Sequence, residues 1–146
     1  MTELARFLVD SANNGVYAAP ASATALKQAA AGCGLAWFDL DLTDVAGKAA
    51  FLARCQTAFR LPPSFGYNWD ALADSLEDLA WERARGYIVF CRNGKVLARD
   101  AAEVLDLALD ILGTAATYWQ SQRKPFFALL DAETRGTREL KRWLES

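Results

Sequence analysis

"GYIVFC", residues 86–91, holds four strand-forming side chains in a row, Tyr87 to Phe90, and no charge. A strand with one wet face alternates apolar and polar residues. An unbroken apolar run implies cover on both faces, the condition of a parallel sheet between helices. "PFFALL", 125–130, repeats the pattern, and "LAWFDLDL", 35–42, starts apolar and then alternates. "VYAA", after the turn signal "NNG" at 13–15 and before Pro20, is a candidate extra strand at an N-terminal edge.

Helical patterns lie between these runs. "SATALKQAAAGCG", 22–34, offers Ser22 as a cap and Gly32 and Gly34 as its end. "DVAGKAAFLARCQTAFR", 44–60, presents Ala50, Phe51, Leu52, Cys55 and Phe59 to a core and is stopped by Pro62 and Pro63. A helix is expected from Asn68 to about Asp78, and a long one over about 100–122 with Val104, Leu105, Leu107, Ala108, Ile111 and Leu112 on its apolar side. Short helices are expected over 2–10 and in the charged tail after 131, the latter anchored by Leu140, Trp143 and Leu144. Strands alternating with helices predict an α/β fold: a central parallel sheet of three main strands, flanked by helices in three layers. At 146 residues the chain is most simply one domain, 1–146.

Several functions are disfavoured at once. The sequence has no histidine, which removes imidazole-based nucleophile schemes and histidine-ligated metals. Cys33, Cys55 and Cys91 are widely spaced with no C-x-x-C pair, so neither a disulfide framework nor a zinc site is expected. No glycine-rich phosphate loop occurs. No apolar stretch is long enough to span a membrane, and the opening residues do not read as a signal peptide. The expectation is a cytoplasmic, cofactor-free protein that is not an enzyme.

The charge is unevenly placed. From Gly66 to Glu82 the charged residues are Asp70, Asp74, Glu77, Asp78 and Glu82, with no base; from Arg83 to Arg99 they are Arg83, Arg85, Arg92, Lys95 and Arg99, with no acid. At about 100° per residue, Trp69, Leu72, Leu76 and Leu79 form one stripe, and Asp70, Asp74, Glu77 and Asp78 fall opposite. Asn68 suits the N-cap, and Asp70 suits the positive end of the helix dipole. Any surface helix shows a charged crest opposite an apolar stripe. Here, however, Asp70 and Asp74 are like charges four apart, which destabilises a helix by roughly 0.2–0.5 kcal/mol. Unrelieved repulsion suggests that the compensating bases belong to another molecule. Carboxylates on an exposed crest, with no nucleophile or second ligand beside them, make a poor catalytic or metal site. The same crest repels nucleic acid phosphates. A cationic protein is the better complement.

The stretch "LPPSFGYNWDALADSL", 61–76, resembles the barstar family of ribonuclease inhibitors through Leu61, Pro62, Phe65, Gly66, Asn68, Asp70, Ala71, Leu72 and Asp74. The resemblance extends over about 35–130 and leaves N- and C-terminal extensions outside the family core. It implies an inhibitor that plugs the cationic active site of an extracellular-type ribonuclease, with carboxylates in place of RNA phosphates. Asp70 and Asp74 match the family's two helix aspartates, Asp74 being the central anchor. Trp81 matches an aromatic in the following loop. Ser64 stands where the family type has a contacting tyrosine, and Ala73 where it has a tryptophan. Glu77 and Asp78 are expected at the rim, and Tyr67 either contacts the partner or packs. The alternative is an interaction module of the same fold for another basic protein, without nuclease inhibition.

Overall fold

The computed structural model describes residues 1–143. In chain order the elements are α1 (Glu3–Leu8), a 3₁₀ turn (Ser11–Asn13), β1 (Gly15–Ala18), α2 (Thr24–Gly32), β2 (Leu35–Asp41), α3 (Lys48–Phe59), α4 (Trp69–Leu76), β3 (Gly86–Arg92), α5 (Lys95–Asp100), α6 (Ala102–Ser121), β4 (Phe126–Leu130) and β5 (Lys141–Arg142). All strand pairs are parallel, in the order β2-β3-β4-β1-β5. The expected α/β sheet is present, with five strands.

Both faces of the sheet are covered, as the apolar runs require. Tyr87, Val89 and Cys91 of β3, with Phe126, Ala128 and Leu130 of β4, join the larger core under α3, α4 and α6. The alternate residues, Ile88, Phe127 and Leu129, face Leu4 and Leu8 of α1 and Leu26 and Ala30 of α2. At the mouth of β3 only glycine fits. A Cβ on Gly86 would lie 2.8 Å from Leu35 Cδ2, Pro125 Cβ and the Pro125 carbonyl oxygen.

Five expectations need correction. The segment after 131 forms no helix among the described residues; Lys141–Arg142 pairs with β1 instead. The cause is tertiary: Trp143 packs edge-on against Phe7, Tyr17 and Phe127, and an extended segment beside β1 delivers it there. Leu144 lies outside the described residues. As a result β1 is not an edge strand but sits between β4 and β5. Ala50 is exposed on α3, and Leu107 is exposed on α6, where Leu105 and Leu109 on either side of it are buried. Residues two apart on a helix do not share a face. Ser22 does not cap α2, which begins after Ala23, although its hydroxyl accepts the Thr24 N–H at 3.4 Å. The short helix α5 precedes the long one and was not anticipated.

Candidate functional site

The acidic segment is fixed by local chemistry at its start. Asn68 is extended, and its Oδ1 accepts the Ala71 N–H at 2.7 Å, capping α4 as expected. Before it, Tyr67 takes a left-handed backbone (φ 51°) that places its ring half in solvent, tilted on buried Phe65. The Tyr67 hydroxyl donates to Gln56 Oε1 of α3. Tyr67 therefore both packs and remains exposed. Ser64 is exposed in the same loop.

Leu72 and Leu76 are buried under α4, and Trp69 is half-buried against Phe51, with Lys48 Nζ 5.7 Å from its ring centre. On the other side Asp70 and Asp74 are exposed, and neither forms an ion pair among the described residues. The helix ends at Leu76, so Glu77 and Asp78 lie in the turn after it and not on the helix itself. Leu79 explains the early stop: a left-handed backbone (φ 50°) turns its side chain fully into the core. Glu77 is half-buried and Asp78 exposed.

The loop that follows is tied back to α3. Trp81 donates its indole N–H to the Phe59 carbonyl at 2.9 Å and leaves 37% of its surface exposed. Glu82 pairs with Arg60 at 2.9 Å. Glu82 is thus neutralised within the chain, which corrects the reading of five free carboxylates. Arg60 and Gln56 both belong to the neighbourhood of the acidic face, and the sequence pattern pointed to neither. They lie 22 and 11 residues from their partners, beyond any helical or strand spacing. Arg83 and Arg85 are exposed beyond the loop.

One further bond holds α4 in place. The Trp119 indole N–H of α6 donates to the Leu76 carbonyl at 2.7 Å, satisfying an acceptor at the end of α4. The surface so built offers unpaired carboxylates one turn apart and two part-exposed aromatics on a braced frame. It can receive cations. It holds no buried acid, and among the described residues no group of three potential metal ligands gathers anywhere.

Comparison with curated proteins returned no match. A family model described as "Barstar (barnase inhibitor)" matches residues 35–131, from the first residue of β2 to the residue after β4, and includes the whole acidic segment. That match covers well over half of the chain, and the chain belongs to the barstar family.

Proposed function

We propose that this protein is a cytoplasmic inhibitor of a cationic ribonuclease, and that it binds through α4 and the loops on either side of it. Barstar-family proteins bind and inhibit barnase-type ribonucleases, which supports the general role. The observation that carries the choice of surface is the state of Asp70 and Asp74: exposed, one helical turn apart, and unpaired among the described residues. In this reading Asp74 anchors the partner's cations, Asp70 assists, Tyr67 and Trp81 supply apolar contact, and Ser64, Glu77 and Asp78 form the rim. No cofactor or metal takes part.

A second reading is favoured by departures from the family type. Ser64 and Ala73 stand where the family type has a contacting tyrosine and a tryptophan, so two aromatic contacts of that interface are absent. These features suit a basic protein that is not a nuclease. Calorimetry against ribonucleases from the same cell, run beside an RNA-cleavage assay, separates the two. Binding with loss of cleavage supports inhibition; binding with cleavage intact supports the module; no binding to any nuclease removes the inhibitor reading.

A further inference from the structure

We propose that Gln56, in the last turn of α3, is a positioning residue that presets the loop in front of the acidic helix, so that Tyr67 holds its place before a partner arrives. The inference rests on the partner surface proposed above. Tyr67 takes a left-handed backbone (φ 51°), a conformation that is costly for a bulky side chain and persists only where its surroundings enforce it. Tyr67 is 48% exposed, so packing on Phe65 covers only part of its ring. Its outer end is held by the side-chain amide of Gln56, which bonds at two points of the loop. The Gln56 Oε1 accepts the Tyr67 hydroxyl, and Nε2 donates to the Pro62 carbonyl at 3.4 Å. The same carbonyl accepts the Phe65 N–H at 2.9 Å. One amide spans the loop from Pro62 to Tyr67.

The base from which Gln56 reaches is itself fixed. Cys55 and Phe59 beside it are buried in the larger core, and α3 ends at Arg60 in a left-handed cap (φ 55°) whose N–H turns back to the Gln56 and Thr57 carbonyls. That cap leaves the Phe59 carbonyl without an intrahelical donor, and Trp81 supplies one from the far side of α4. Arg60 reaches the same loop through Glu82. A single helical turn therefore anchors both segments that flank α4, Tyr67 before it and Trp81 with Glu82 after it. The chemistry at position 56 suits this task, since a carboxamide carries both the acceptor for a hydroxyl and the donor for a carbonyl. A contact surface whose side chains are held in advance loses less freedom on association and binds more tightly for it.

The test combines amide hydrogen exchange of the free full-length chain with calorimetry against a barnase-type ribonuclease and thermal melts. Gln56→Ala should speed exchange of the Phe65 amide several-fold and weaken binding about fivefold. Its melting temperature should hold, because the bonds it loses lie at the surface. Gln56→Glu keeps the acceptor for the Tyr67 hydroxyl and should restore most of the slow exchange. Tyr67→Phe keeps the ring and removes the hydroxyl. In that background Gln56→Ala should cost much less affinity, because the bond between the two side chains is already gone. Affinity unchanged in Gln56→Ala, a cost undiminished in the Tyr67→Phe background, or unchanged exchange of the Phe65 amide would each overturn the proposal. The exchange measurement needs no partner. If the wild type binds no ribonuclease, the function proposed above fails, and exchange alone still decides whether Gln56 orders the loop.

Discussion

Asp74 and Glu82 belong to one acidic segment but meet different surroundings. Asp74 stands in solvent without a counter-ion among the described residues, and Glu82 holds Arg60. Asp74→Ala is expected to weaken partner binding by about 2–5 kcal/mol, because it strands the partner's cations. Its melting temperature should hold, since relief of i,i+4 repulsion is worth only tenths of a kcal/mol. Calorimetry beside thermal melts checks that the two effects separate. Glu82→Ala removes an exposed pair worth about 0–1 kcal/mol to folding and releases a cation beside the site. Its signature should be slower association at low salt. A different carboxylate makes stability depend on pH in the acid range. The Asp41 carboxyl is pulled down from 3.8 to about 2, first by the Thr43 hydroxyl, then by the Asn93 amide and the Thr43 N–H, with Arg92 adding less. A depressed folded-state value stabilises the protein fully above the ordinary value, and that contribution is lost as pH falls from about 4 to about 2. Melts of Asp41→Asn should run below wild type at neutral pH and converge on it near pH 2; a constant gap would disprove the assignment. Asp70 and Asp74 were legible in the sequence because their spacing is local. Arg60 was not, because its partner is distant in the chain.

At the scale of elements, α4 depends on two fastenings, its Asn68 cap and the Trp119–Leu76 bond. Trp119→Phe keeps an aromatic ring but leaves the Leu76 carbonyl without its donor, a loss of about 1–3 kcal/mol for a buried acceptor. Denaturant unfolding should show a lower midpoint, and partner affinity should fall with it as α4 loses its brace. Asn68→Ala should cost about 1 kcal/mol by loss of the cap. The same contrast governs what the sequence revealed. The strands β3 and β4 were legible because burial on both faces writes an unbroken apolar run, and α4 because Leu72 and Leu76 repeat at the helical interval. The tail was misread as a helix because two residues of strand have no period to detect; Trp143 fixes that segment from across the fold. The short helix α5 was missed for a related reason, since "KVLARD" is barely longer than one turn and only Leu97 is buried.

The whole molecule places two thiols out of reach. Burial, and in lesser degree the nearby Cys91, pushes the Cys55 thiol well up; burial, with Asp131 and Asp39 adding less, pushes Cys91 up to about 12. Native protein should therefore be alkylated at Cys33 first, with Cys55 and Cys91 reacting only on global unfolding, as mass spectrometry of labelled peptides would show. Faster labelling of either would contradict the packing. The seam at β1 bears on the order of assembly. Asn14 Oδ1 accepts the Phe126 N–H across 112 residues of chain, and Tyr17 and Ala18 wait for Lys141 and Arg142. The run from β2 through α3 and α4 to β3 closes over shorter separations, and contacts between distant segments are slow to form. Val16→Ala, in the seam, should speed unfolding and leave refolding nearly unchanged in stopped-flow traces. During synthesis the acidic helix can therefore take shape on its half of the sheet before the strand made first has any neighbour to join, and the earliest strand translated becomes one of the last to be seated.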